Sequence, residues 1–194
     1  MSTETSATAV LDEPGLDDGP IEVVVTEREP VATRTLAFAL EPATDRVWRD
    51  YAPGAHVDLM LPTGEIRQYS LTSGSRPGEP LRIAVLKTDD SRGGSRLIHE
   101  WLRPGHRLRV SEPKNNFALD EDAVHSVFVA GGIGITPLLP MARRLAELGR
   151  SFEVHHRVRS ADRAAFAAEL AAIAPAGRFR VVADDDLAGR PFLP

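Results

Sequence analysis

A glycine-rich turn at residues 131–137 is the first segment whose residue types suit ligand chemistry. Gly131, Gly132 and Gly134 follow an apolar run and precede a stretch with helical periodicity. Glycines let the backbone approach a ligand, and the free N–H groups of a helix start attract pyrophosphate or carboxylate. Thr136 is predicted to cap that helix, with Pro137 in its first turn. The spacing is not GxGxxG, so a strand-to-helix turn without a ligand is the alternative.

A second candidate anion site is the segment Arg92-Gly93-Gly94-Ser95. It lies directly before a short helix predicted over Ser95–Leu102, so Ser95 is the expected capping residue. An arginine, two glycines and a serine at a helix start favour binding of an anion. The alternative is an ordinary cap after a glycine turn.

The third segment is the pentapeptide RQYSL on a predicted strand. Alternation places Arg67, Tyr69 and Leu71 on one face, and Gln68 and Ser70 on the other. An arginine beside an aromatic ring can hold a phosphate while the ring packs against a planar ligand. A plain cross-strand pattern is the alternative.

Two kinds of pattern must position these segments. Up to about residue 111, short apolar or alternating runs predict six strands and hence an antiparallel Greek-key β-barrel or sandwich. These runs are Ile21–Glu27, Thr33–Leu40, His56–Leu61, Ile66–Thr72, Leu81–Lys87 and Arg107–Ser111.

From about residue 120 the pattern becomes strand–helix–strand–helix–strand, which predicts a parallel sheet with right-handed crossovers. These elements are Ser126–Ala130, Leu138–Leu148, Ser151–Arg157, Asp162–Ile173 and Arg178–Ala183. The predicted organisation is a disordered acidic tail over 1–20, a barrel domain over 21–120 and an α/β domain over 121–194.

Composition excludes several functions. The 194 residues contain no cysteine, which rules out disulfides, thiol nucleophiles and cysteine-ligated clusters built from this chain. Five of the 28 acidic residues lie in the first 20, where Lys and Arg are missing, so the remainder carries 23 of each sign and favours no nucleic acid partner. Neither a signal peptide nor a membrane segment is evident, and a cytoplasmic location is expected. The adjacent His155 and His156 point to opposite faces of a strand, so no metal site is predicted.

Taken together, the three motifs resemble the ferredoxin–NADP reductase superfamily, within it most closely the phthalate dioxygenase reductase and vanillate demethylase reductase branch. The stretch from Pro113 to Phe117 fits that branch's Pro-x-Asn-x-Phe pattern, and Arg159-Ser160 fits its Arg-Ser after the second nucleotide-domain strand. The resemblance covers about residues 21–185. It implies an FR-type flavin-binding barrel followed by a nucleotide-binding α/β domain, with FMN favoured over FAD by the Gly-Gly-Ser element.

The resemblance also assigns roles on the flavin side. Arg67, Ser95 and the amide of Gly94 would hold the FMN phosphate. Tyr69 would flank the isoalloxazine ring, and Ser70 would lie near the reactive N5 as a candidate catalytic residue. Further flavin contacts are assigned to Leu71, Ala84 and Lys87.

On the nucleotide side, Thr136 would sit between the flavin and nicotinamide sites as the second candidate catalytic residue. Gly132 and Gly134 would approach the pyrophosphate of NADH or NADPH, and Arg159 with Ser160 would grip the adenosine half. Asp184 and Asp185 are weaker candidates on that side.

The implied activity is an NAD(P)H-dependent flavin oxidoreductase, the electron-transfer component of a Rieske-type aromatic oxygenase or demethylase system. Hydride passes from NAD(P)H to the flavin, and single electrons pass on to an iron–sulfur protein or oxygenase component. The branch continues with a Cys-Gly-Pro motif and a four-cysteine [2Fe–2S] domain, so the sequence is expected to be C-terminally truncated and to bind no iron–sulfur cluster. A non-catalytic flavin-binding module and a free-standing NAD(P)H:flavin reductase are the alternatives.

Overall fold

Nine strands form two sheets within residues 19–76, 78–89 and 93–187, the part of the chain that the computed structural model describes. Six antiparallel strands form the first sheet in the order β4-β3-β6-β1-β2-β5. A bridge between Leu71 and Ile83 brings its two ends together, which gives the predicted Greek-key barrel. The strands are β1 (Ile21–Ala32), β2 (Thr35–Pro42), β3 (His56–Met60), β4 (Ile66–Ser70), β5 (Leu81–Leu86) and β6 (Arg107–Val110).

The helix α1 (Gly94–Trp101) lies between β5 and β6 and closes one end of the barrel. Its buried Ile98 joins Leu102 and the inward-facing residues of the strands, such as Val57 and Leu59, in one apolar cluster. Burial alternates along β3 and β6 as the sequence predicts, whereas consecutive residues are buried in the middle of β2 and β5.

Three parallel strands form the second sheet, in the order β7-β8-β9. The helices between them pack on one face and bury a second apolar cluster around Phe128, Leu139 and Phe152. The elements are β7 (Ser126–Gly131), α2 (Ile135–Glu147), β8 (Phe152–Val158), α3 (Ala167–Ile173), β9 (Phe179–Ala183) and α4 (Asp184–Leu187).

The expectation of one continuous helix over Asp162–Ile173 is wrong. A 3₁₀ turn at Ala161–Arg163 comes first, Phe166 then adopts a left-handed conformation, and α3 begins only after it. The carbonyl of Asp162 accepts a hydrogen bond from the amide of Thr33 in the barrel, at 2.9 Å. Because this tie holds the turn, the chain must bend before the helix can carry Leu170 into the core.

The two sheets are docked through close backbone contact. An ideal Cβ on Gly54, which has φ of +96°, would lie 1.9 Å from the carbonyl oxygen of Phe117 and 2.7 Å from the terminal methyl of Met141 in α2. Arg143 in α2 also donates a hydrogen bond to the carbonyl of Thr72. The barrel and the α/β unit therefore share a packed seam that fixes the cleft between them.

Among the described residues, no helix has both the length and the apolar composition needed to cross a membrane.

Candidate functional site

Arg67 and Gly94 are in close contact on the barrel wall. An ideal Cβ on Gly94 would lie 2.8 Å from Nε of Arg67, so a larger residue there would displace the guanidinium from the start of α1. Arg67 also pairs with Glu65 at 3.0 Å and donates to the carbonyl of Ile66 at 3.0 Å. Its side chain is held in place while its charge stays near the helix N-terminus, an arrangement suited to an anion.

Ser95 joins the start of α1 to the end of β5. Its hydroxyl accepts a hydrogen bond from the amide of Thr88 at 3.2 Å and lies 3.2 Å from the Thr88 hydroxyl. The helix begins at Gly94 with Gly93 as its N-cap, and no side chain caps it. Ser95 therefore lies inside the first turn, which corrects the expected capping role. Arg92 lies outside the described residues.

Tyr69 and Ser70 continue the same wall along β4. The ring of Tyr69 packs partly against the barrel core, and this burial raises the pKa of its hydroxyl to about 12. Tyr69 is therefore neutral at physiological pH and keeps its O–H as a donor. The half-buried hydroxyl of Ser70 has no hydrogen-bond partner among the described residues and is free to meet a ligand.

The glycine turn forms the opposite wall. Gly132–Gly134 winds into a 3₁₀ turn that runs directly into α2. Thr136 therefore lies within the helix, where its hydroxyl donates to the carbonyl of Ile133 at 2.9 Å and caps nothing, contrary to the sequence-based expectation. A Cβ added to Gly132 or Gly134 would meet no atom within 4 Å beyond the adjoining residues, so protein packing does not require glycine at either position.

These two walls enclose a cavity of about 440 Å³ between the barrel and the α/β unit. Seven of the sequence-predicted residues line it: Arg67, Tyr69 and Ser70 from β4, Ala84 from β5, Ser95 from α1, Gly134 from the glycine turn and Thr136 from α2. Gln68, Leu86, Thr88, Ile133 and Pro137 complete the lining.

A second cavity of about 350 Å³ continues this cleft and shares Leu86, Thr88 and Ile133 with it. Gly132 and two arginines, Arg159 and Arg163, line its α/β side. Neither guanidinium forms a hydrogen bond or a salt bridge within the described part of the chain, although the charges of both act on Asp89.

Across the second cavity, Arg34 and Asp89 form an ion pair, with one hydrogen bond of 2.9 Å. Hydrogen bonding to Arg34 lowers the pKa of Asp89, and the charges of Arg163 and Arg159 act in the same direction. Lys87 also lines this cavity and pairs with Glu100 at 3.3 Å. The second cavity is therefore rich in cations, with Asp89 as the carboxylate among them.

Four predicted site residues, Leu71, Ser160, Asp184 and Asp185, do not line the two cavities. Leu71 is 1% exposed and its side chain belongs to the barrel core, so it does not share the cleft-facing position of Arg67. The hydroxyl of Ser160 donates to Asp162. Asp184 accepts a hydrogen bond from Arg157 at 2.7 Å at the start of α4, and Asp185 follows it in that helix.

Sequence reasoning did not find several residues of the cleft. Thr88, Ile133 and Arg163 line it, although no motif includes Thr88 or Arg163. Arg34 reaches it from the turn between β1 and β2, 55 residues away from Asp89. Arg34 has φ of +64°, and no sequence pattern marks it as a cleft residue. Its place there depends on the ion pair with Asp89, which forms only in the folded chain.

The donor set fits a flavin with a phosphate group. The guanidinium of Arg67, which lies against α1, and the hydroxyl of Ser95 at the helix start suit a phosphate. On β4, the aromatic ring of Tyr69 and the hydroxyl of Ser70 suit a planar ring with polar edges. The glycine turn leaves open space on the facing wall. These features lie in one continuous cleft. The sequence motifs taken separately do not predict that they come together.

Comparison with known proteins agrees with this geometry, although no family model matches the chain. The chain is 41% identical to tetrachlorobenzoquinone reductase of Sphingobium chlorophenolicum over 172 residues, 88% of this chain and 53% of that protein. It is 45% identical to vanillate O-demethylase oxidoreductase of a Pseudomonas species over 146 residues, 75% of this chain and 46% of the relative. The chain thus spans about half the length of the curated relatives it matches.

A solved structure of phthalate dioxygenase reductase, described as a modular structure for electron transfer from pyridine nucleotides to [2Fe–2S], superposes with a TM-score of 0.82. It is 31% identical, and the match covers 90% of this chain and 55% of that one. This chain belongs to the ferredoxin–NADP reductase superfamily. Its relatives place it in the phthalate dioxygenase reductase and vanillate demethylase reductase branch, as the three motifs predict.

Proposed function

We propose that this chain is the flavin- and nucleotide-binding part of an NAD(P)H-dependent reductase that supplies electrons to a Rieske-type oxygenase. The observation that carries the proposal is the continuous cleft in which Arg67, Tyr69 and Ser70 of the barrel face the glycine turn of the α/β unit. The relatives' names and the phthalate dioxygenase reductase structure support the same activity class. The cytoplasmic location and the division into 21–120 and 121–194 belong to this proposal.

FMN is the proposed flavin. Arg67, Ser95 and the amide of Gly94 would hold its phosphate, with Tyr69 beside the ring and Ser70 at its polar edge. Ala84 is 3% exposed and would contribute an apolar surface, and Lys87 would supply a positive charge at the junction of the two cavities. When bound, the flavin supplies the chemistry that converts two-electron into one-electron transfer.

The chain's own residues have positioning tasks. Burial raises the pKa of the Tyr69 hydroxyl to about 12, so the hydroxyl keeps its proton at neutral pH and can donate it to a ligand. The Thr136 hydroxyl is held by the carbonyl of Ile133, and this residue lines the first cavity with 6% of its surface exposed. At Gly54 the barrel packs directly against Met141 of α2, which supports the position of the two walls.

The proposed donor is NADH or NADPH, bound across the glycine turn and the second cavity. Gly132 and Gly134 would let the pyrophosphate approach the N-terminus of α2. Arg159 and Arg163 are not tied into a salt bridge within the described residues, and two such guanidinium groups favour a donor with an additional phosphate, NADPH. Each donor provides two electrons, so two one-electron acceptors, such as [2Fe–2S] centres on a partner, are reduced per turnover.

The test begins with purification and an absorbance spectrum. Bound flavin is expected to absorb at about 450 nm, and acid release with chromatography distinguishes FMN from FAD. NADPH or NADH is then added without oxygen, and loss of this absorbance is the expected result. A colourless protein that does not bind added FMN would contradict flavin binding, whereas yellow protein that neither nucleotide bleaches would support a non-catalytic flavin module.

Acceptor assays then separate the remaining functions. Reduction of a [2Fe–2S] protein with retained flavin supports the electron-transfer component. Rapid flavin exchange with reduction of free FMN supports the flavin reductase alternative. Because one relative is named tetrachlorobenzoquinone reductase, a chlorinated quinone is included as a further acceptor.

A further inference from the structure

A fully buried histidine lies beneath the glycine turn. His156 is 0% exposed on β8, where it pairs with Ala130 of β7 and Val181 of β9. Its Nε2 lies 2.8 Å from the carbonyl oxygen of Gly132, the residue that begins the 3₁₀ turn. The neighbouring inward residues of β8 are Val154 and Val158, so His156 is the one polar side chain on this face of the strand.

The proton position follows from the partner. A carbonyl oxygen only accepts, so Nε2 carries the hydrogen and donates it to Gly132. Nδ1 has no hydrogen-bond partner within the described part of the chain. Burial lowers the pKa of His156, although the bond to Gly132 acts in the opposite direction. The ring is therefore held neutral, in a single tautomer.

The same carbonyl also accepts a hydrogen bond from the amide of Ile135, the first residue of α2. Both acceptor positions of the Gly132 oxygen are thus used inside the protein. Gly132 has φ of +50°, and its opposite side faces open space in the cleft. Gly132 itself therefore has no side-chain packing on its cleft side, and the bonds from within the protein hold its carbonyl.

We propose that His156 is a positioning residue, whose Nε2–H fixes the glycine turn through the Gly132 carbonyl and so sets the helix start for the phosphates of the pyridine nucleotide. Ala130 and Val181 on either side of His156 are apolar and offer no substitute donor. The inference rests on the proposed nucleotide site, and its two parts are tested separately.

The first experiment measures hydrogen exchange of the Ile135 amide by NMR in the full chain. His156→Leu keeps an apolar side chain but removes the donor, and is expected to speed exchange about 3- to 10-fold, as loss of one hydrogen bond implies. His156→Gln can donate from a similar distance and is expected to restore slow exchange. Val154→Ala, a change on the same buried face without contact to the turn, is the matched control.

The second experiment measures the dissociation constants of NADP⁺ and NAD⁺, together with the flavin content. His156→Leu is expected to weaken the better-bound nucleotide about 3- to 10-fold with unchanged flavin content, and His156→Gln to recover the affinity. Equal loss in the Leu and Gln variants, or no change in either, overturns the proposal. Wild-type protein that binds neither nucleotide overturns the proposed function, whereas the exchange comparison still decides whether His156 fixes the turn.

Discussion

The two walls of the cleft use glycine in opposite ways. On the barrel side, Gly94 lies against another part of the protein, because a Cβ there would displace the guanidinium of Arg67. On the α/β side, a Cβ on Gly132 or Gly134 would meet nothing within 4 Å. The side chain of Arg67 fills the space beside Gly94, whereas the space beside Gly132 and Gly134 is open.

The charges differ in the same way. Arg67 on the barrel side is paired with Glu65 and held against α1, whereas Arg159 and Arg163 on the α/β side have no such partner among the described residues. A preformed, internally supported site suits a ligand that stays bound, because little ordering is needed at binding. An open turn with unpaired cations suits a ligand that enters and leaves. We interpret the barrel wall as the resident cofactor's side and the α/β wall as the exchangeable donor's side.

The largest expected effect comes from separating the two walls. Gly54→Ala is expected to lower the free energy of unfolding by about 2–4 kcal/mol, because the new Cβ collides with the Phe117 carbonyl and φ is positive. Gly64→Ala is the matched control: φ is +82°, but nothing lies within 4 Å. Urea titration measures both, and equal losses would mean that the seam does not restrict the walls.

The next largest effect is expected from removing Arg67, the cation on the barrel side. This change is expected to weaken flavin binding and to leave nucleotide binding unchanged. Arg67→Ala should weaken FMN binding about 10- to 100-fold, the range for hydrogen bonds to a charged group. The exposed Arg109 on β6 provides the control, Arg109→Ala, with unchanged affinity expected. Fluorescence titration of FMN measures both variants. A parallel loss of NADP⁺ affinity in Arg67→Ala would contradict the assignment of the two walls.

Much of this comparison is readable from the sequence. Periodicity predicts the barrel and the parallel sheet, and the three motifs predict most of the cleft's lining. What the sequence does not reveal depends on contacts between distant segments. Ser95 and Thr136 have residue types that favour caps, but Gly93 and the 3₁₀ turn start their helices one or more residues earlier.

Long-range partners explain the remaining differences. The bend before α3 depends on a bond from Thr33, and Arg163 reaches the cleft only because of that bend. His156 has an ordinary strand position in the sequence, and its importance appears only once the Gly132 carbonyl lies above it. Pairings of this kind are set by tertiary packing rather than by local propensity.

On the α/β wall, removal of one cation tests whether an additional phosphate is recognised. Arg163→Gln is expected to raise KM for NADPH about tenfold, within the range for a charge-assisted hydrogen bond, and KM for NADH much less. Arg180→Gln on β9 changes an exposed arginine outside the cleft and serves as the control. Steady-state rates with both donors give the comparison, and an equal rise for both would argue against a subsite for the 2′-phosphate.

The openness of the glycine turn is tested by filling it. Gly132→Ala and Gly149→Ala have φ of +50° and +65° and meet no atom within 4 Å, so both are expected to cost about 1 kcal/mol of stability. Only the first places a methyl group in the cleft, and it alone is expected to weaken NADP⁺ binding several-fold. Identical nucleotide affinities in the two variants would show that the open space is not used by this ligand.

The smallest expected effect is the pH dependence contributed by His156. Its pKa in the folded protein is lowered from the ordinary 6.5 by burial, so the unfolded chain binds more protons as the pH falls below about 6.5. The contribution is therefore fully present above that pH and is lost as the pH falls through the folded-state pKa. His156→Gln does not titrate, so its stability should decline less than that of the wild type between about pH 7.5 and 5.5. Chemical denaturation across this range measures the difference. If stability falls equally with pH in the two proteins, the His156 ring is not held neutral beneath the glycine turn. The glycine turn would then lack the internal support that we assign to it.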